Sequence, residues 1–440
     1  MKRFFQTIRN IFSIEDLRVR ILNTVGFLII FRLGSYIVIP GIDATHPSLL
    51  SGTSEGILGL LNTFVGGSFF RASIFALGIM PYISASIIVQ LLTFAVPYFQ
   101  KLQKEGDSGR KRLNQITRVL TIVITTFQGY AYIQGTIEQG AIIDPGFFFY
   151  FSAIVILVAG TMFCMWLGER ITDKGIGNGI SVLIMIGIIS RLPLALYEEA
   201  VVNRGMSGAL LFIIELLVLF AIIMGVIMLT QATRRIPIQY AKQVIGNKLY
   251  GGKRDFIPLK LNSAGVMPII FAQALMFIPV LAVGIWRDSE IGAAIGQTFS
   301  DPYSWQYNLV FGLMILVFTF FYTAITINSN DIADNLKRNG GFIPGVKPGK
   351  QTSEFIDTVL SRITFPGAMF LVIIAIIPAF AVRAGVGQNF AQFFGGTSLL
   401  IMVGVILDTL QQIESYLLMR HYEGMMKSGR VKGRSQFAAA

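Results

Sequence analysis

Ten apolar stretches set the terms for this chain: 21–39, 73–96, 116–137, 148–167, 177–196, 208–229, 264–285, 306–327, 365–382 and 397–418. Each is roughly twenty residues long, enough for a helix to cross a hydrocarbon layer ~30 Å thick. Inside that layer every backbone N–H and C=O needs an internal partner, which an α-helix supplies by itself. The expected fold is therefore an all-α polytopic membrane protein with ten transmembrane helices. Composition agrees, with 53% hydrophobic and only 14% charged residues, against about 25% charged in an ordinary soluble domain.

The charges orient these spans. If the N-terminus is cytoplasmic, the inside segments 1–20, 97–115 with Arg118, 168–176, 230–263, 328–364 and 419–440 hold thirty of the 36 Lys and Arg residues. The outside loops hold five: Arg71, Arg191, Arg204, Arg287 and Arg383. Basic residues concentrate on the cytoplasmic side of membrane proteins, so both termini are expected there. The net charge of +12 is then mostly orientation bias rather than a sign of nucleic-acid binding. Dividing ten spans at 196–208 leaves five per half. An odd number forces opposite insertion, which permits two pseudo-symmetric inverted halves, a plan common in transport proteins.

One apolar segment is too short to span: 56–66, GILGLLNTFVG. It reads either as an interfacial or re-entrant helix packed under its neighbours, or as a helix folded back into a cavity open to the outside. The second span holds Pro81, Ser84, Ser86 and Gln90. Pro81 is expected to interrupt the helical ladder. The segment is then either a kinked helix whose hydroxyls bond back to the backbone, or a helix lining a wetted path.

No catalytic constellation is present. The only histidines are His46 and His421, and no HExxH, Walker A or CxxC pattern occurs. The string GIGNG at 175–179 lacks the spacing of a nucleotide loop. Its glycines suit a tight turn and close packing where the fifth span begins. The single Cys164 is expected to be a small buried hydrophobe. No enzyme activity, cofactor or metal is expected. No cleavable signal is expected either, since the first apolar stretch runs past Arg32 to Ile39 without a small-residue cleavage site. Ionisable groups within the spans are few: Arg32, Glu215 and Asp408. They are either paired or snorkelling structural charges, or members of a proton relay.

Two inside loops are longer than connection requires. Residues 234–261 show extended runs around Gly251–Gly252, which read as a β-hairpin. Residues 335–352 crowd Lys337, Arg338, Lys347 and Lys350 among glycines and prolines. Both suit a docking surface for acidic proteins, anionic lipid or RNA.

Several strings resemble the SecY family: WLGERITDKGIGNGIS (166–181), GIMPYISASIIVQLL (78–92), FRLGSYIVIPGID (31–43), FALGIMPYISASI (75–87), EGDSGRKRLNQITR (105–118), PLKLNSAGVMPIIFA (258–272), FYTAITINSNDIADNLKRNGGFIPGVKPG (321–349) and FGGTSLLI (394–401). The resemblance runs from about Leu17 to the tail, in family order. It implies a protein-conducting channel in the bacterial cytoplasmic (inner) membrane, passing unfolded secretory chains across and releasing transmembrane segments sideways into lipid.

By motif position the resemblance also implies site residues. A pore ring comprises Ile79, Ile83, Ile180, Ile184, Ile270 and Ile401. A plug helix comprises Gly56, Ile57, Leu58, Leu60, Leu61, Asn62 and Phe64. A lateral gate opens between spans two/three and seven/eight, with Ser84, Ser86, Gln90, Thr117 and Thr121 as its candidates. The docking surfaces for the ribosome and the SecA motor carry Arg234, Arg235, Lys242, Lys248, Lys253, Arg254, Lys337, Arg338, Lys347 and Lys350. The family loop reads PG-x-RPG where this chain has PGVKPG, so Lys347 keeps the charge and loses the planar fork. Implied partners are the small membrane subunits SecE and SecG, SecA, the ribosome, nascent polypeptides and lipid.

The implied division is 1–20 cytoplasmic segment, 21–196 N-terminal half, 197–229 loop and sixth span, 230–263 basic loop, 264–327 spans seven and eight, 328–364 basic loop, 365–418 spans nine and ten, and 419–440 basic tail. Aliphatic side chains offer a passing chain no hydrogen bonds and exclude ions by dewetting. Apolar segments gain about 0.3–0.6 kcal/mol per Leu, Ile, Val or Phe on leaving for lipid. The competing reading is a ten-helix secondary carrier, which requires a coupling ion and a saturable midplane site.

Overall fold

The computed structural model describes residues 14–43, 57–135, 137, 139–203, 208–240, 243–245, 248–250, 254–273, 275–276 and 301–427. The fold is mostly helical. In chain order the helices are α1 Glu15–Gly34, α2 Ile57–Phe64, α3 Met80–Ala95, α4 Pro97–Lys104, α5 Asp107–Gly135, α6 Phe147–Lys174 and α7 Gly179–Tyr197, the last running on as a π-helix over Glu198–Asn203. Then come α8 Ala209–Gln231, α9 Trp305–Thr326, α10 Ser329–Arg338, α11 Lys350–Arg383 and α12 Gly396–Lys427.

Among the described residues, six helices are long and apolar enough to cross a membrane: α6, α7, α8, α9, α11 and α12. The bent pair α3–α4 makes a seventh if it counts as one span. Ten is not reached among the described residues. The first and third expected spans are helical, as α1 and α5, but polar residues within them lower their apolar character: α1 carries Arg18, Arg20 and Arg32, and α5 carries Arg118, Gln128 and Gln134 among its threonines. The seventh, 264–285, lies mostly outside the described residues. Lipid exposure is plainest on α8, where Leu210, Leu211, Ile213, Ile214, Leu217 and Phe220 all stand exposed. A helix that is apolar all round belongs in hydrocarbon.

The second span departs from expectation. Residues 73–79 form turns rather than helix, and α3 starts at Met80. Pro81 therefore occupies the first turn, where its missing N–H costs nothing. It starts the helix instead of breaking it. The bend comes later, where α3 meets α4 at 99° around Val96 and Pro97.

Two compact units make up the chain: Met1–Arg191 with Gly404–Ala440, and Leu192–Val403. In the first, α1 packs on α6, and α5 packs on both α3 and α6. Its core includes Ile39, Ile42, Phe69, Ala76, Tyr132, Ile133, Phe149 and Leu157. In the second, α9 packs along α11.

The long loops are also not loops. Residues 328–364 fold as α10, a short strand and the first turns of α11, with Asn328 accepting from the N–H groups of Asn330 and Asp331 at 3.1 and 3.4 Å as an N-cap. The expected hairpin exists as β1 Thr233–Tyr240 paired antiparallel with β4 Arg254–Lys260. Within it, β2 Gln243–Ile245 pairs with β3 Lys248–Tyr250. Ile245 faces Lys248 across the β2–β3 pair, and Gly251–Gly252 lie outside the described residues.

Candidate functional site

Glycine governs the approach of α6 and α7. The turn at 175–179 needs Gly177 at φ +84°, a left-handed conformation. A Cβ on Gly179 would sit 1.9 Å from the Gly168 carbonyl oxygen. The two backbones thus touch at a distance that only glycine permits. The turn is pinned from outside as well. Arg20 Nη1 donates to Gly175 O at 3.2 Å, Ile176 N donates to Thr24 Oγ1 at 3.1 Å, and Gly177 N donates to Gln412 Oε1 at 2.8 Å. Sequence reading anticipated the turn but not these partners, which lie 152 to 235 residues away and leave no periodic signal.

The short apolar segment is the helix α2. Its backbone ends in a glycine turn, Gly66 and Gly67 at φ +68° and +88°. Gly67 N donates to Asn62 O at 2.8 Å and Gly66 N to Thr63 O at 3.2 Å, satisfying carbonyls that the helix end leaves over. Asn62 is buried, and its Oδ1 accepts from Phe70 N at 3.1 Å. Phe64 is buried, with its carbonyl oxygen 2.3 Å from where a Cβ on Gly187 of α7 would stand. The helix is thus fitted against the bundle. Gly56 and the side chains of Ile57, Leu58, Leu60 and Leu61 lie outside the described residues.

An apolar cluster gathers Phe31, Phe75, Ile79, Cys164, Leu167, Ile171 and Leu183, with Ile83 and Ile180 packed against it. Three of the six expected ring residues, Ile79, Ile83 and Ile180, come together here. Ile180 also contacts Gly168, whose Cβ would come within 2.9 Å of Ile180 Cγ1. Ile184 is buried one turn further along α7. In the second unit Ile270 is half-buried on a helical stretch 267–273, and Ile401 is buried near the start of α12. Thr397 Oγ1 donates to Gln273 Oε1 at 2.7 Å, tying these two segments together about one turn from each isoleucine. Cys164 is fully buried, as its apolar setting suggested.

The gate candidates lie on neighbouring helices. Ser84 bonds back to Met80 O at 3.2 Å on α3, and Ser86 and Gln90 are half-buried there. On α5, Thr117 donates to Leu113 O at 2.9 Å and Thr121 to Thr117 O at 2.7 Å, both buried. The hydroxyls of Ser84, Thr117 and Thr121 are thus each satisfied by their own helix.

The two basic loops are one small domain. β5, Gly341–Phe342, comes from the second loop and pairs with β1 of the first, giving the sheet order β4–β1–β5. A shared core of Ile236, Ile238, Leu259, Leu336, Ile343, Ile356 and Leu360 underlies it. Ser353 Oγ donates to Asn330 Oδ1 at 2.8 Å, and Ser329 donates to Asp357, fastening α10 to α11. Arg234, Arg235, Arg254, Lys337, Arg338, Lys347 and Lys350 all stand exposed on this domain. Lys242 and Lys253 lie outside the described residues, as does the side chain of Lys248.

Of the three ionisable groups expected within spans, Asp408 is exposed on α12 and Glu215 is buried on α8. Arg32, at the end of α1, donates to Gly66 O at 3.2 Å.

Comparison with known proteins places this geometry. The family profile described as SecY matches residues 73–410. The chain is 43% identical to the protein translocase subunit SecY of Escherichia coli over 432 residues, covering 96% of both chains. It is 42% identical to that of Streptomyces coelicolor, covering 94% of this chain and 98% of the relative. Among solved structures it is similar to one described as a protein-conducting channel, with TM-score 0.62, 17% identity and coverage of 90% of this chain and 92% of that one. It is also similar to Sec61 in a canine ribosome–channel complex, with TM-score 0.58, 16% identity and coverage of 90% and 92%.

Proposed function

The chain belongs to the SecY family, and from that premise we propose how it works as a protein-conducting channel of the membrane. One observation carries the reading: the likeness to translocase subunits runs through 96% of both chains, so it covers the channel body and not one shared module. A secondary carrier finds no support among these relatives.

We place ten helices in the bacterial inner membrane as two inverted halves, with both termini cytoplasmic. The thirty-to-five partition of basic residues supports this orientation. In this reading the pore narrows at Ile79, Ile83, Ile180, Ile184, Ile270 and Ile401. The gathering of Ile79, Ile83 and Ile180 in one apolar cluster supports it, since a dry aliphatic constriction stops ions and offers a passing chain no polar hold. The helix α2 is the plug. Its short length, its own cap and its fit against Gly187 support a detachable element.

Ser84, Ser86, Gln90, Thr117 and Thr121 line the lateral gate. The hydroxyls of Ser84, Thr117 and Thr121 bond within their own helices, so parting the faces leaves them satisfied. The sheet domain receives the ribosome and SecA, because seven of the basic candidates stand exposed on one folded unit. SecE and SecG complete the membrane complex.

The test is reconstitution of the chain with its small membrane subunits in vesicles, with SecA and ATP added to a secretory precursor. Precursor protected from external protease is the expected result. Saturable uptake of a small solute with no protected precursor would refute the channel reading.

A further inference from the structure

Arg32 is the only charge in the apolar stretch 21–39. A guanidinium at such a position is costly and needs partners. Its partners among the described residues are a carbonyl and a phenol: Nη1 donates to Gly66 O at 3.2 Å, and Nη2 to Tyr36 Oη at 3.4 Å. Gly66 lies just past the C-terminal end of α2, within its cap. The carbonyl end of a helix is its negative end, so a cation there is doubly favoured.

Three features make the contact specific. The Gly66 conformation is left-handed, at φ +68°. A Cβ at this position would lie 2.6 Å from Arg32 Nη1 and 3.0 Å from the Gly187 Cα. Only glycine therefore lets α1 and α7 close on this turn together. Arg71 stacks over the Tyr36 ring at 4.3 Å from its centroid, and Arg32 lies 5.5 Å from the same centroid. The phenol thereby meets both Arg32 at the end of α1 and Arg71 in the segment that follows α2.

We propose that Arg32 is the latch of the closed channel, a positioning residue that ties the C-terminal end of α2 to α1 so that opening requires the Arg32–Gly66 bond to break. The inference rests on reading α2 as the plug. It assigns that element a holding contact outside the plug itself and outside the isoleucine ring. A hydrogen bond to a charged group at a partly buried site shifts such an equilibrium about tenfold or more. The identity of the side chain matters in a graded way. Lysine keeps the charge but one compact head replaces the fork, while glutamine is neutral and too short to reach as far.

The experiment measures anion efflux from vesicles holding the resting complex. Arg32→Gln is expected to raise the leak about tenfold, and Arg32→Lys to raise it less. Gly66→Ala approaches the contact from the other side, pushing the guanidinium off the Gly66 carbonyl while Arg32 itself is unchanged, and is expected to leak like Arg32→Gln. This second variant keeps the test decisive should Arg32→Gln fail to assemble. Each change is repeated in a chain lacking 58–65, where Arg32→Gln is expected to add nothing. If the deletion leaks but neither Arg32→Gln nor Gly66→Ala does, the latch is wrong and the plug reading stands. If Arg32→Gln adds its full effect on top of the deletion, Arg32 braces the frame and not the plug, and the proposal fails. If the deletion itself causes no leak, the plug reading falls and takes the latch with it.

Discussion

A single methyl group at Gly179 tests the close approach on which the α6–α7 junction depends. In Gly179→Ala the new Cβ would stand 1.9 Å from Gly168 O and 2.8 Å from the Ile171 Cβ. The first of these neighbours is backbone inside a helix and has no rotamer to turn away. Relief requires α7 to move from α6 by about 1 Å, and overpacking of this kind costs about 1–3 kcal/mol. The shift also strains the bond from Gly179 N to Thr172 Oγ1, now 2.9 Å, and a hydrogen bond so lost costs roughly a further 1 kcal/mol. The control is Gly225→Ala on α8, where a Cβ meets nothing within 4 Å. There the substitution removes backbone freedom from a helix interior and stabilises by about 0.5–1 kcal/mol. Thermal unfolding of the purified complexes in detergent reads both changes in one assay. Gly179→Ala is expected to lower the midpoint by a few degrees, and Gly225→Ala to hold or raise it. Equal midpoints for the two variants would refute the reasoning, because it would mean that the helices are not in backbone contact at Gly168.

Other consequences follow from the same geometry. Ile83→Gly combined with Ile184→Gly removes aliphatic bulk at the proposed constriction and is expected to make resting vesicles leak ions; unchanged conductance in the single and double variants would make these residues ordinary helix packing. Leu336→Ala removes core from the sheet domain at a cost of about 2–5 kcal/mol. Because the core is shared, protease cleavage should rise within 243–250 as well as near 336, and cleavage confined to the second loop would contradict a single domain. Arg254→Glu with Lys347→Glu should weaken binding of ribosomes to the purified complex and lower the salt slope by roughly 0.7–0.9 per lost phosphate contact, without inverting the chain. Unchanged affinity and slope would leave these charges with orientation alone. Cysteines at 245 and 345 should be labelled from one side of the membrane and a cysteine at 295 from the other, a pattern that equal labelling from both sides would overturn.

What was readable in advance was whatever depends on local composition. Runs of apolar residues announce helices because lipid leaves the backbone no other partner. Thus α7, α8 and α9 lie close to their expected bounds. The glycines of 175–179 announced a tight turn because the left-handed region is open to them. The hairpin was visible as two extended runs. Other local expectations failed where neighbours intervened. Pro81 looked like a break in a helix and proved to be a helix start, since residues 73–79 are drawn into turns, with Ile74 N bonded to Ile37 O at 2.9 Å and Val38 bridged to Ser73.

Tertiary structure alone decided the long-range partnerships. That two basic loops about a hundred residues apart share one sheet and one core is a matter of β1 pairing with β5 and Leu336 meeting Ile236. No periodicity within either loop encodes that meeting. The role of Arg32 was equally hidden. In sequence it is one charge in an apolar run, reading first as a snorkelling or paired structural charge and second as a member of a proton relay. Only folding brings it to the carbonyl of Gly66, 34 residues away. The physical reason is general to this protein: solvation and backbone geometry act residue by residue and are written in composition, whereas a hydrogen bond between distant segments exists only once packing has brought its two ends together.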